Sequence, residues 1–235
     1  MPELIVVMPD GDDGWWTTWN SLGTWAECRR QPPEREPAAS YCVPWPHYDD
    51  YVARDLVARV DSVYRTRPGR AHRAIAGLSM GGYGAVSLAL RYPDVFSAAA
   101  SHSGVLSPLS GEPRGAARPV ADIAELRAGY RRMWPLIAPA FGADTAAWWS
   151  REPARLAEQL VARDRSLVPA LFVDVGVDDN LLAQNRRFRD ELRRLGIAHE
   201  YREWPGTHDW AYWRAHVPES LRWIAGRIAA DGPGR

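Results

Sequence analysis

The stretch AIAGLSMGGYGA, residues 74–85, decides the fold. It begins as a short apolar run and passes into Gly77-Leu78-Ser79-Met80-Gly81, which matches the pattern G-x-S-x-G. Between a strand and a helix, this pattern is typical of a sharp, strained turn that leaves the serine hydroxyl exposed as a nucleophile. We therefore expect a strand over 74–77, a helix over 81–91 and a nucleophilic Ser79 at the turn between them.

Strand and helix patterns alternate along much of the remaining chain. Short apolar runs predict strands, and apolar residues at helical spacing predict helices. The alternation implies an α/β fold with a mainly parallel sheet covered on both faces, in a single domain over residues 1–235. The other predicted strands are 4–8, 96–101, 170–175 and 200–204; the other predicted helices begin at Asp49 or Asp50 (to about 65), at 181 (to 195) and at 211 (to 230).

Two regions interrupt this alternation. Residues 12–47 form a long loop rich in tryptophan and proline, and 107–165 are mixed helix and loop. Loops of such length inside a compact domain are usually functional or disordered, and the tryptophan density argues against disorder. We predict that Trp15, Trp16 and Trp19 wall an acyl or alcohol pocket, with filling of the core as the alternative.

Composition excludes several classes of partner. The 29 basic residues are all arginine and are balanced by 29 acidic residues, so the chain lacks the charge excess that nucleic acid or an anionic membrane would attract. No apolar run approaches the roughly 18 residues of a membrane span, and the first residues do not resemble a signal peptide. We expect a soluble protein, cytoplasmic or exported, that acts on a small-molecule or carbohydrate-linked ester; the oligomeric state stays open.

The cysteines and histidines do not indicate a metal site. Cys28 and Cys42 lie in the long loop, where they could form one disulfide or remain two thiols, and neither has the spacing of a zinc site. We therefore expect no metal and no cofactor.

A serine hydroxyl needs a base, and the base needs an orienting acid. On sheets of this kind the three follow in the order Ser, Asp or Glu, His. Asp178 and Asp179 lie just past a predicted strand, and His208 lies in the loop after the last strand. This order predicts His208 as the general base of Ser79 and Asp179 or Asp178 as the acid, whereas Asp174, inside the strand, is interpreted as structural.

Two more residues are candidates for the site. The Met80 amide begins the helix, where an unpaired N–H and the positive end of the helix dipole can stabilise an oxyanion. His102 follows the next strand after Ser79 and is predicted to line the substrate pocket.

At these residues the chain resembles the esterase family that includes S-formylglutathione hydrolases, feruloyl and acetylxylan esterases, tributyrin-type esterases and mycolyltransferases. The resemblance implies an α/β-hydrolase fold, and it favours Asp179 over Asp178 because the acid in that family lies three residues after the glycine. Almost the whole chain is covered. The segments that carry it are VVMPDG (6–11), GLSMGGYGA (77–85), YPDVF (92–96), FG (141–142), GVDD (176–179) and PGTHDW (205–210).

The resemblance fails at the front of the chain. Family members carry, before the strand that matches 6–10, another strand ending in His-Gly, and the loop after it donates the second oxyanion N–H. This chain has no such segment, so we expect an N-terminally shortened α/β hydrolase. A truncated gene model, direct pairing of the two flanking strands or an inactive relative would each account for it.

The function that these observations favour is carboxylic ester hydrolysis through an acyl-enzyme. One alternative is acyl transfer to a sugar or another alcohol, which uses the same three residues. The other is an inactive interaction module that lacks half of the oxyanion hole.

Overall fold

The computed structural model describes residues 3–12, 14–19, 47–110, 120, 122–142 and 144–228. Its centre is one sheet of four parallel strands in the order β1-β2-β3-β4. The predicted α/β fold is confirmed, and four of the predicted strands lie within two residues of their predicted bounds. These strands are β1 (Ala74–Leu78), β2 (Ala98–His102), β3 (Ala170–Gly176) and β4 (His199–Trp204).

Helices connect the strands. Helix α1 is continuous over Tyr48–Asp50, the π-helical Tyr51–Leu56 and Val57–Val63. It is followed by α2 (Met80–Arg91), α3 (Ile123–Tyr130), α4 (Trp134–Phe141), α5 (Thr145–Trp149), α6 (Pro153–Asp164), α7 (Leu182–Arg194) and α8 (Trp210–Ile228). None of these described helices combines the length and apolar composition that a bilayer crossing needs.

The two faces of the sheet are covered by different helices. Successive side chains of a strand point to opposite faces. Leu171 and Val173 of β3 pack in a core with residues of α2, α6 and α7, whereas Phe172 packs with Ile224 of α8. The parallel register brings the carboxyl ends of the strands to one edge, where His102 lies beside Leu78 on one side and Asp174 on the other. This edge carries the residues predicted to react.

The prediction of a buried strand over Leu4–Met8 is wrong. The segment has no strand pairing, and Ile5, Val6, Val7 and Met8 are 51%, 64%, 40% and 88% exposed. A strand needs a neighbour for its N–H and C=O groups, and no described strand pairs with this one. It does not pair with β1, which rules out one of the explanations considered for the shortened N-terminus.

Strand β1 also lacks a neighbour on one side among the described residues. This strand pairs with β2 on one side and with no described strand on the other, so it is an edge of the sheet as far as the described residues form it. Ala76 in its middle is exposed. An apolar sequence such as AIAGL is typical of a strand with neighbours on both sides.

Most of the long tryptophan- and proline-rich loop lies outside the described residues. The prediction that Cys28 and Cys42 form a disulfide or remain thiols falls in that part of the chain. Its two ends meet at a bridge between Thr18 and His47.

Candidate active site

The turn between β1 and α2 has the geometry that its sequence predicts. Ser79 has φ 53° and ψ −117°, a left-handed conformation that is strained for a residue with a side chain. Its N–H donates to the carbonyl of His102 at 2.9 Å, which fixes the turn against the end of β2. At Gly77 a Cβ would lie 2.2 Å from the carbonyl oxygen of Gly81, so any side chain there would collide with backbone.

We expect Gly77→Ala to lower the free energy of unfolding by about 1–3 kcal/mol, because backbone must move to accept the methyl group. Gly81→Ala is the matched control. A Cβ there would meet nothing nearer than Trp16 Nε1 at 4.0 Å. Urea unfolding of both variants measures the difference, and equal losses would contradict this account of the turn.

Three side chains from three loops form one hydrogen-bonded chain at the carboxyl edge. The Oγ of Ser79 lies 2.9 Å from Nε2 of His208, and Nδ1 of His208 lies 3.1 and 3.0 Å from the two carboxylate oxygens of Asp179. The carboxylate accepts a hydrogen bond from the Nδ1–H of His208, which leaves Nε2 free to accept the proton of Ser79. This is the arrangement that activates a serine for nucleophilic attack.

The neighbouring carboxylates are placed differently. Asp179 is 5% exposed, and its Oδ1 also accepts the N–H of Leu181 at 2.7 Å. Asp178, the alternative acid, is exposed, and its N–H donates to Gly206 at 3.0 Å. Only Asp179 therefore has its carboxylate against the imidazole.

The loop that holds His208 is fixed on both sides. Asp209 caps α8 by accepting the N–H of Tyr212 at 2.9 Å. The hydroxyl of Thr207, together with that N–H, lowers the pKa of Asp209. Trp213 lies edge-on to the imidazole at 5.0 Å. The ring of His208 is therefore held in place while remaining partly exposed.

Met80 is the first residue of α2, so its N–H has no partner within the helix. It directly follows Ser79, where the developing charge of an ester carbonyl would lie. The N–H of Met80 and the positive end of the α2 dipole therefore lie next to Ser79.

The predicted pocket residues divide into two groups. Trp15 is 5% exposed and packs edge-on against Tyr83 and Phe141. It therefore fills the core, the alternative to a place in the pocket wall. Trp16 and Trp19 are partly exposed and stay predictions. The prediction that His102 lines the pocket is corrected: its ring is 2% exposed, and its nitrogens contact Asp174 and Ser220 inside the protein.

Glu152 is a buried acid that the sequence does not single out. It is 0% exposed and accepts hydrogen bonds from the hydroxyl of Ser107 at 2.8 Å and the N–H of Leu109 at 3.1 Å. Burial raises its pKa from 4.5 to about 7. These bonds tie the N-terminus of α6 to the loop after β2.

The raised pKa makes stability depend on pH. The folded state favours protonated Glu152, so its contribution is complete below pH 4.5 and is lost as the pH rises through about 7. The difference between these two pKa values corresponds to a change of about 3 kcal/mol in the free energy of unfolding. Urea unfolding at pH values from 4.5 to 8 measures this. As the pH rises over that range, we expect the free energy of unfolding of Glu152→Gln to increase by this amount relative to that of the unmodified chain. A difference independent of pH would contradict the assignment.

One group of possible metal ligands occurs within the described ranges. His47, Asp49 and Asp50 place ligand atoms within 4.8 Å of one another. The two carboxylates already have protein partners: Asp49 accepts from the Thr18 hydroxyl, and Asp50 pairs with Arg54. We assign no ion to this group.

Comparisons with known proteins find esterases. The family model Esterase, described as "Putative esterase", matches residues 2–224. An acetyl esterase of Caldicellulosiruptor saccharolyticus is 26% identical over 181 residues, 76% of this chain and 64% of the relative. A ferulic acid esterase structure is 27% identical with a TM-score of 0.59, and the match covers 79% of this chain and 63% of the ferulic acid esterase chain.

An S-formylglutathione hydrolase structure from Staphylococcus aureus is 26% identical with a TM-score of 0.57, and the match covers 76% of this chain and 63% of the hydrolase. The chain therefore spans less than two thirds of the length of these relatives.

Proposed function

Because the chain belongs to the Esterase family, we propose that it hydrolyses carboxylic esters through an acyl-enzyme formed on Ser79. The observation that supports this most is the hydrogen-bonded chain from Ser79 through His208 to Asp179. Such a chain converts a poor nucleophile into a good one at neutral pH.

The reaction proceeds in two halves. His208 Nε2 takes the proton of Ser79 as the oxygen attacks the ester carbonyl, and the tetrahedral intermediate collapses when His208 returns that proton to the leaving alcohol. Water then gives a proton to His208 as it attacks the acyl group. The second tetrahedral intermediate collapses when the bond to Ser79 breaks and His208 passes that proton to the serine oxygen, which releases the carboxylic acid and restores Ser79. Asp179 holds the imidazole in the required tautomer and stabilises its charged form.

The oxyanion of both intermediates is assigned to the N–H of Met80. One such donor contributes roughly 10²- to 10³-fold in rate. Within the part of the chain that the structure describes, we assign no second donor. The proposed activity therefore relies on the N–H of Met80 and the positive end of the α2 dipole.

The pocket is proposed to be apolar at its mouth. Trp210, the first residue of α8, is 60% exposed and lies two positions after His208, and Val177 is 41% exposed in the turn that carries Asp179. Trp16 lies beside the first turn of α2. These side chains suit a small-molecule or carbohydrate-linked ester whose acyl or alcohol part has apolar surface. The proposed mechanism uses protein groups and water alone.

The reaction class is tested with p-nitrophenyl acetate and butyrate, beside p-nitrophenyl phosphate and an acetyl p-nitroanilide as controls. We expect hydrolysis of the two carboxylic esters only, with free acid as the product even when an alcohol acceptor is added. Transfer of the acyl group to that alcohol would identify an acyltransferase instead. No ester turnover by a folded sample would contradict the proposal and indicate an inactive relative.

A further inference from the structure

Four buried polar side chains form a second network next to the candidate active site. We call Asp174, His102, Tyr212 and Ser220 the Asp174 cluster; each is at most 4% exposed. His102 places Nδ1 2.5 Å from Asp174 Oδ2 and Nε2 2.8 Å from the Ser220 hydroxyl. The hydroxyl of Tyr212 donates to Asp174 Oδ1 at 2.9 Å. The cluster joins β2, β3 and α8.

Stability alone is a weak reason for such a cluster. Taking a carboxylate and an imidazole out of water has a large desolvation cost, and well-packed apolar residues often stabilise a core equally well. Tyr212 is held as a donor, because burial and the charge of Asp174 raise its pKa well above the usual value. A network that fixes the direction of a hydroxyl suggests a role in positioning.

The cluster contacts the turn of Ser79 through the backbone. The carbonyl of His102 accepts the N–H of Ser79 at 2.9 Å, and the carbonyl of Asp174 accepts the N–H of Ser103 at 2.8 Å. His102 and Asp174 are also register partners in the sheet. The ends of β2 and β3 are therefore fixed relative to each other where the turn is anchored.

Tyr212 connects the cluster to the loop of His208. Its N–H donates to Asp209, the residue after His208. Its ring packs so closely on Gly206, two residues before His208, that a Cβ at Gly206 would lie 2.6 Å from Tyr212 Cδ2. One side chain, oriented by Asp174, thus supports the backbone on both sides of the histidine.

We propose that Tyr212 is a positioning residue for His208, held in place by Asp174 and His102. The inference rests on the proposed function and adds the residues that set the distance between the imidazole and Ser79. None of the members of the Asp174 cluster touches the reacting atoms.

The test compares Tyr212→Phe with Tyr201→Phe. Both changes remove a hydroxyl that donates at 2.9 Å to a carboxylate, Asp174 or Glu203, but Tyr201 has no bond to the loop of His208. For p-nitrophenyl acetate we expect Tyr212→Phe to lower kcat roughly tenfold with KM within about twofold, since small displacements of catalytic groups are costly. Tyr201→Phe is expected to retain both constants. Circular dichroism verifies that the variants fold.

A second measurement needs no substrate. The Nδ1 proton of His208, hydrogen-bonded to Asp179, is expected as a downfield ¹H resonance, assigned by its loss in His208→Gln. Tyr212→Phe should displace or broaden it, and Tyr201→Phe should not. An unchanged resonance in Tyr212→Phe overturns the proposal whatever the rate. Absence of esterase activity in the unmodified protein would contradict the proposed function, whereas the resonance tests the positioning role of Tyr212 independently. If Tyr212→Phe does not fold, Asp174→Asn is measured in the same way.

Discussion

Ser79→Ala is expected to lower kcat for p-nitrophenyl acetate by on the order of 10⁴-fold or more. Without its oxygen no acyl-enzyme forms, and His208 has no nucleophile to deprotonate. Binding of the ester is expected to change little, because the hydroxyl makes its main contribution in the transition state. Steady-state rates of the purified variant beside the unmodified chain measure the effect.

Ser103→Ala is the matched control for Ser79→Ala. Ser103 also follows a strand of the sheet and also has a left-handed backbone, with φ 49°. Its hydroxyl is fully buried and has no hydrogen-bond partner within the described structure. We expect kcat within about twofold of the unmodified chain, since no transition-state contact is lost. Similar losses in both variants would mean that the measured activity depends on the integrity of this edge rather than on Ser79.

Asp179→Asn is expected to lower kcat on the order of 10³- to 10⁴-fold. The amide can donate to Nδ1 of His208, which would leave the Nε2 nitrogen protonated and unable to accept the proton of Ser79. The charge that stabilises the imidazolium is also lost. The same ester assay measures the effect, with circular dichroism to verify the fold.

Asp178→Asn separates this role from a general effect of charge. The two aspartates are adjacent, but Asp178 is exposed and its carboxylate does not contact the imidazole. We expect this variant to keep its rate within about twofold. A large loss in Asp178→Asn with little effect of Asp179→Asn would show that the loop rearranges in solution and that the acid is misassigned.

Local sequence signals predicted the elements near Ser79 well. The G-x-S-x-G pattern and the apolar run before it act over a few residues, and the resulting strand, turn and helix agree with the structure. The resemblance to the esterase family is confirmed by the matching family model. It also separated Asp179 from Asp178, a choice that the adjacent carboxylates alone left open.

Contacts between distant segments were harder to predict. Leu4–Met8 has the composition of a buried strand, but pairing requires a neighbour that its own residues cannot reveal. His102 was expected in the pocket because it follows a strand; its direction depends on Asp174 and Ser220, 72 and 118 positions away in the chain. For Trp15 the sequence likewise allows the pocket or the core, and only its packing on Tyr83 and Phe141 decides between them.

Some residues gave no usable signal. Glu152 lies among polar and aromatic residues as an ordinary surface glutamate would, and its burial follows from how α6 meets the loop after β2. The position of Asp174 inside an apolar strand indicates a structural role. That position also indicates a polar partner, but the sequence does not identify Tyr212, which lies 38 positions away.

The most direct test of Ser79 as an activated nucleophile is covalent labelling with a fluorophosphonate, followed by mass spectrometry of the peptides. In the folded chain we expect one adduct, on Ser79, and none after the protein is unfolded or in His208→Gln on the same timescale. The label needs an activated serine, so its position reports the chemistry without assuming a substrate. An adduct on another residue, or no adduct on a folded sample, would contradict the account.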